Sequence, residues 1–576
     1  MQNRLDYSLP PEALFLTPDE DAGLHPLAEP DFFWRARPRA RILGFAASAH
    51  EEINRKIDSF LAYTARHKTF SRAVEFNAIP VALEGAQYKK SFVTAGGKGL
   101  LNGASGVRLL NRYLWVNQDA GFDAEARLAD YFRRCQDRAV ARPLTARASG
   151  TTGLPFAVEA RNTFNYFHFV TETLCQFCAL DQIGADRPLF LHHPNHPEKT
   201  RGFTRDFLRA LFPEFGDRVQ FERAPKSYDR VLTSLNLMNA YYQYGPDTVA
   251  PVDSLITSRA MWAGREAIRA SQGVLQMNAV DSNLIRLRDR ALRAIEGQDF
   301  SHLPRRFWVG REQGQARNRA MQGEEELLEM LRLFGFESIS FESLSPLEQV
   351  ALMANAEVMV SYHGAGFTNM LFANPSAHVI EIGTLQTAMF RWGDFWRLAN
   401  AAGCTYVSFF ADFAKADPLA EPDFAEEGIV PVSLSRHGLA LIMSFLVALL
   451  GHLPRFSTAE PVLRLARQMN QIGAWTRTLQ LFALHPGVEA GNAPLCLALA
   501  EAQRHAGNAP AELAALCAAQ RADPSRAFTL MQIVWCAQKA GQEETLRWAL
   551  ARMRADFPER LDEVLRSRPA LRRLAV

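Results

Sequence analysis

The sequence predicts two α/β halves followed by an all-α helical repeat, and three observations carry that reading. Between Glu357 and Glu381 the residues EVMVSYHGAGFTNMLFANPSAHVIE spell an apolar strand, a glycine turn, a helical stretch and a second apolar strand. That succession is the βαβ unit of a parallel sheet. Apolar strands alternate with helical patterns through residues 146–290 and again through 300–452. From residue 456 the strands disappear, and Gly473, Gly507 and Gly541 recur 34 residues apart, as do Pro524 and Pro558.

At 576 residues the chain is too long for one core, and 48% hydrophobic with 22% charged residues is an ordinary globular composition. A formal net charge of +2 gives nucleic acid no reason to bind. The first residues, MQNRLDYSLPPEALF, lack a basic head followed by an apolar core, so no secretory signal is expected there. The longest apolar run, Leu439–Leu450, is interrupted by Ser444 and falls short of the ~20 residues that span a bilayer. A buried helix is expected instead of a transmembrane segment. Seven scattered cysteines suit a reducing compartment, and the expected location is cytoplasmic. Cys175 and Cys178 spell CxxC inside a helical pattern with no second pair nearby, so they read as small core residues and no metal site is expected.

Residues 1–145 read as an N-terminal extension packed on the first α/β domain. Pro10, Pro11, Pro26 and Pro30 punctuate its start, His50–His67 has helical periodicity, and Tyr113–Val116 is expected as a strand. Residues 146–295 form that first domain. Strands are expected at Phe156–Val158, Leu189–Leu191, Val219–Phe221 and Tyr228–Leu237, with helices at Thr163–Leu180, Phe203–Leu211 and Val252–Ala270. Residues 296–453 form the second, opening on the strand Arg306–Gly310 and the helix Glu324–Phe334. A strand at Ile339–Phe341 precedes Ser345-Pro346-Leu347-Glu348, a capping box with proline at the first helical position. Helices at Phe390–Ala402 and Leu434–Leu450 flank a strand at Thr405–Phe410. In residues 456–576, IGAW, AGNA and AGQE occupy the same place in successive units, the turn between paired helices. The period is that of tetratricopeptide repeats, with a plain helical bundle as the alternative.

The turn His363-Gly364-Ala365-Gly366 brings backbone N–H groups and a helix N-terminus against an anion such as phosphate, although packing alone also produces such turns. HGAGFTNMLF, the VIEI that follows it, RRFWVGR with its GFE and LEQ sequels, and NYFHFVTETL far upstream resemble glycosyltransferase family 61. The resemblance covers roughly residues 146–453, with its motifs in family order. It implies two Rossmann-like domains of the GT-B type, an inverting transfer from a nucleotide sugar, and neither catalytic metal nor other cofactor. In such enzymes the last helix, here Leu434–Leu450, crosses back onto the first domain. The chain departs from the family at Gly323, where Asn often precedes an acidic pair, and at Phe367, where Leu is common.

Under that resemblance the chemistry needs charge stabilisation on a departing diphosphate, a grip on the nucleoside, and a base for the acceptor hydroxyl. Without a DxD-type metal pair, the first falls on backbone N–H groups, a helix dipole and cations. His363, Gly364, Ala365 and Gly366 supply the backbone, with Arg311 as first cation and Arg319 as second. Glu381 ends a strand on the ligand edge and is expected to accept the ribose hydroxyls or cap the next helix; Thr368 and Asn369 hold the phosphate helix or touch the ligand. Gln349 reads as structural. His168 and Glu172, four residues apart on a predicted helix, share a face. His168 is expected as base and Glu172 as its orienter, although sequence leaves open which takes the proton. The run His192-His193-Pro194-Asn195-His196 is expected as an acceptor-side loop or a solvated turn. The expected donor is UDP-linked, the acceptor a glycan or protein, and the repeats offer a surface for a protein partner. A second reading keeps the fold and drops the catalysis: a silent nucleotide-fold scaffold whose repeats recruit that partner.

Overall fold

The structure, a computed structural model, describes residues 5–17, 20–29, 40–67, 74–76, 78–141, 145–146, 150–236, 279–310 and 321–575. The expected helix Val252–Ala270 and the expected cations Arg311 and Arg319 lie outside the described residues. The strands are, in chain order, β1 (Leu24–Pro26), β2 (Arg41–Ala46), β3 (Val74–Phe76), β4 (Ala78–Lys89), β5 (Phe92–Ala95) and β6 (Lys98–Gly99). Next come β7 (Phe156–Glu159), β8 (Leu189–His193), β9 (Val219–Arg223), β10 (Lys226–Asn236) and β11 (Ala279–Asp281). The last are β12 (Arg306–Val309), β13 (Glu337–Ile339), β14 (Val358–Tyr362), β15 (His378–Thr384), β16 (Thr405–Phe413) and β17 (Val432–Ser433).

The described residues form two large sheets, a small two-stranded one and a C-terminal all-helical region. In one sheet β13-β12-β14-β15-β16-β2 run parallel, with β17 antiparallel against the end of β16. Parallel strands are covered on both faces and so read as unbroken apolar runs, which is why the stretches around Val360 and Ile380 were legible. Side-chain period two sorts them: Met359 and Val379 face one apolar cluster, while Val358, Val360, Ile380 and Ile382 face another. The other sheet runs β6-β5-β4-β10-β7-β8-β9, with β1 on β4; β7, β8 and β9 are parallel and β4 is antiparallel to β10. β3 and β11 form a separate parallel pair.

One apolar cluster fills the space between the two sheets. It takes Phe169, Phe177, Phe207 and Leu287 from helical segments before β12, and Val350, Phe367, Met370 and Leu398 from helical segments after it. The outer face of the first sheet packs on Gly103–Val116 and Ala124–Ala141 through Leu109, Tyr113, Leu128 and Phe132. Tyr113–Val116 therefore belongs to a helix rather than the expected strand, because Leu109, Leu110 and Tyr113 form one helical face in that cluster.

Two further expectations are corrected. β2 and the helix after it, Glu51–His67, join the second sheet, so the N-terminal segment is shared between domains rather than packed on the first alone. Conversely, the helix Arg436–Leu450 stays on the outer face of the second sheet, with Leu439, Met443 and Leu446 buried there, and does not cross back. Gly323 begins the helix Glu324–Leu333 at φ +83°, and a Cβ there would stand 2.6 Å from the Leu434 carbonyl oxygen. Asn tolerates that backbone better than most residues, yet the carbonyl leaves room for no side chain.

The helical region pairs Ala459–Gln471 with Trp475–Leu484, Ala493–His505 with Ala509–Ala522, and Ala527–Ala540 with Glu543–Asp556; Pro558–Ser567 follows. Gly473, Gly507 and Gly541 turn each pair at φ +73°, +75° and +66°, a conformation glycine adopts without penalty. Among the described residues no helix is long and apolar enough to cross a membrane.

Candidate active site

In the second sheet the chain steps from β12 to β13 on one side, then returns to β14 on the other. Such a reversal of strand order opens a crevice beyond the carboxyl ends of the two strands, here Val309 and Tyr362. His363 follows β14 directly, and its backbone N–H still donates to Ile382 O at 3.2 Å. Its Nδ1 lies 2.5 Å from Glu381 Oε1. Glu381 is fully buried, and its Oε2 accepts from the Tyr406 hydroxyl at 2.6 Å and the Ser408 hydroxyl at 3.2 Å. The expected roles of Glu381, accepting ribose hydroxyls or capping the next helix, meet a carboxylate with no exposed surface. Of its three described partners, His363 is the one that lies past the end of β14.

The rest of the turn is tightly packed. Gly364 is extended, Ala365–Phe372 is a 3-10 stretch, and a Cβ on Gly366 would press on the Phe341 ring at 3.3 Å. Thr368 and Asn369 have no exposed surface. The Thr368 hydroxyl oxygen is buried without a partner among the described residues. Asn369 links distant stretches of the chain: its Oδ1 accepts from the Tyr166 hydroxyl at 2.5 Å, and its Nδ2 donates to Gln349 Oε1 at 3.0 Å. Gln349 donates onward to the Phe341 and Leu344 carbonyls.

Between β7 and β8 a helical run starts at Tyr166, with Asn165 Oδ1 accepting from the His168 backbone N–H. It widens into a π turn over Phe169–Thr173 and tightens to 3-10 geometry over Leu174–Ala179, where Cys175 and Cys178 are buried. π turns inside helices concentrate at functional positions. Here the turn holds His168 Nδ1 at 2.8 Å from Glu172 Oε1. Glu172 Oε2 is buried with no partner among the described residues, an acceptor left open in a side chain only 10% exposed. Arg108, held to the Ser91 hydroxyl, lies within the field of Glu172.

The two His–carboxylate pairs flank one seam. His168 stacks edge-on to Phe167 at 5.4 Å, Phe167 on Phe395 at 5.6 Å, and Phe395 against His363 at 5.5 Å. Arg397 crosses the seam, its guanidinium donating to the Thr171 hydroxyl at 3.2 Å. Asp394 stands beside them. Burial raises its pKa, while the nearby Arg391, His363 and Arg397 oppose the rise. Tyr166, Tyr406, Ser408, Asp394 and Arg397 were missed from sequence. Tyr166 alone carried a signal, lying inside the NYFH motif.

His192 and His193 are not on a loop. They complete β8, almost wholly buried, with His192 Nε2 2.7 Å from the Tyr228 hydroxyl. Burial lowers the His192 pKa to about 4, so the ring is neutral in the folded protein at pH 7. His196 stays exposed, 3.7 Å from Glu198. Among the described residues no group of three or more His, Cys, Asp or Glu is placed to hold a metal ion.

Fold and site together define an α/β protein with two His–carboxylate pairs at the seam of two sheets. Residues 166–380 match the family model for Glycosyltransferase 61, which supports a glycosyltransferase. The matched span includes both histidines, Glu172 and the glycine turn, and ends one residue before Glu381. No curated protein matches the chain.

Proposed function

We propose that the protein is an inverting, metal-independent glycosyltransferase that moves a sugar from a UDP-linked donor to a hydroxyl of a glycan or protein. One observation carries the proposal: two His–carboxylate pairs flank the same seam, with His168, Glu172 and His363 inside the span that matches the family and Glu381 one residue past it. In this reading residues 146–295 and 296–453 are the paired Rossmann-like domains of a GT-B enzyme, with the diphosphate on the second and the acceptor on the first. Residues 456–576 are a tetratricopeptide-like stack that offers a partner surface.

The Glu172 carboxylate accepts the proton of His168 Nδ1–H, which leaves the lone pair of Nε2 to receive the acceptor's proton. The acceptor oxygen then bonds to the anomeric carbon from the face opposite the leaving group. The bond from that carbon to the phosphate oxygen breaks, and its electron pair leaves with the diphosphate. Negative charge grows on that oxygen, beside His363 and the backbone of Gly364–Gly366. Arg311 and Arg319 are the cations proposed to share it.

UDP should stabilise the protein in the presence of EDTA, by about 2.7 kcal/mol at ligand a hundredfold above its Kd. Thermal unfolding with and without UDP, magnesium or manganese measures this. Stabilisation seen only with added divalent metal overturns metal independence. Intact UDP binding without turnover of any nucleotide sugar favours the silent scaffold.

A further inference from the structure

Three donors converge on Glu381, and three strands supply the cluster: His363 just past β14, Glu381 on β15, and Tyr406 and Ser408 on β16. Ser408 is the register partner of Glu381, and Tyr406 lies two residues earlier on the same face of its strand. A carboxylate only accepts hydrogen bonds, so His363 must present its proton on Nδ1. Tyr406 is fully buried and its phenol is held well above its ordinary pKa, by burial first and by Glu381 next, so it stays a donor. An acid here costs several kcal/mol in desolvation unless it is paired. Val379, Ile380 and Ile382 around it give packing no use for a charge.

We propose that Glu381, Tyr406 and Ser408 are positioning residues that hold the His363 ring by its Nδ1–H and support its doubly protonated form, so that Nε2–H donates to the departing diphosphate while the carboxylate never touches the nucleoside. The proposal rests on the nucleotide-sugar reading above. It gives Tyr406 and Ser408 a role that reaches the ligand through a single side chain. The relay makes and breaks no covalent bond. Asp394, Arg391 and Arg397 complete the charged surroundings of the ring.

The test titrates the full chain with UDP, UMP and 2′,3′-dideoxy-UDP by calorimetry. The UMP-to-UDP ratio of Kd values measures what the β-phosphate adds, and the dideoxy-UDP-to-UDP ratio measures what the ribose hydroxyls add. His363→Gln, Glu381→Gln and Tyr406→Phe should each shrink the first ratio at least threefold and leave the second unchanged. In a His363→Gln background, Tyr406→Phe should change nothing further, which a merely structural tyrosine would not satisfy. Glu381→Gln puts an amide among donors and is prone to misfold. Tyr406→Phe removes only one hydroxyl, so the cycle stands without the glutamine variant. Loss of the ribose increment with the phosphate increment spared overturns the proposal and returns Glu381 to the ribose.

Nitrogen-15 labelling of histidine gives a reading that needs no ligand. The ring signal that disappears in His363→Gln should be Nδ1-protonated in the wild type; protonation on Nε2 alone overturns the proposal. A wild type that shows the Nδ1-protonated ring and binds no uridine nucleotide overturns the nucleotide-sugar reading, and the diphosphate role with it.

Discussion

His168 and Glu172 share a wall of the seam, and the 2.8 Å contact between them fixes which ring nitrogen is left to accept a proton. His168→Ala should lower the transfer rate by about 10²–10⁴-fold, roughly 3–5 kcal/mol of transition-state stabilisation, with UDP affinity nearly unchanged. Glu172→Gln should cost less, since the ring remains. Steady-state rates and calorimetric Kd values for both variants check this, and turnover within tenfold of wild type in both would make the pair structural. His192 carries a second prediction. Its pKa is about 4 folded and about 6.5 unfolded, so the unfolded chain binds more protons between those values. Stability should therefore fall as pH drops from about 6.5 to about 4, by roughly 3 kcal/mol from this residue. His192→Gln should flatten that stretch of the urea-midpoint profile.

Short local signals were read well and long-range ones were not. The helix Phe203–Leu211 has the bounds its pattern predicts, and the Ser345–Glu348 capping box forms with both reciprocal bonds. Tyr113–Val116 failed because four apolar residues fit a strand or a helix equally until their neighbours are counted. Burial hid the rest. Nothing in VIEI says that its Glu is closed off by Tyr406 and Ser408, because those contacts exist only through strand register. Asn369 likewise reads as holding the phosphate helix or touching a ligand, and its bond to Tyr166, 203 residues earlier, has no sequence signal. Gly323 offers a direct test. Gly323→Asn should destabilise by roughly 1–3 kcal/mol through strained backbone alone, and the Leu434 carbonyl should push the loss toward the upper figure. The shift in urea midpoint measures it, and a neutral result would mean that the Leu434 loop moves aside.

Domain partners joined by a polar interface are expected to move, whereas here one apolar cluster runs from the first sheet to the second. The C-terminal helices are fused to the second sheet in the same way. Val462, Leu465, Met469, Leu481 and Leu495 share a cluster with Ile442 and Leu446 beneath the second sheet, while Leu530, Ile533 and Leu550 form a separate one. Truncation after residue 456 should therefore strip the Arg436–Leu450 helix of its cover and yield aggregated protein. Truncation after residue 523 should leave a folded chain that still binds UDP, with lowered Tm. Size-exclusion chromatography and calorimetry of both truncations decide the matter. A soluble, UDP-binding 1–456 chain would show that the first repeat pair is dispensable.

β2 leaves the ribosome 364 residues before the start of β16, the strand it pairs with, as the numbers of Arg41 and Thr405 require. At about 5–20 residues per second, the nascent chain carries that strand unpartnered for roughly 20–70 s. The first sheet can close meanwhile, because its last strand in chain order, β10, ends at Asn236. The second cannot close until β16 emerges to meet its outermost strand, β2. An isolated 296–453 fragment would never recover it. A permuted gene that reattaches residues 40–67 after residue 413 should allow the second half to fold without the first.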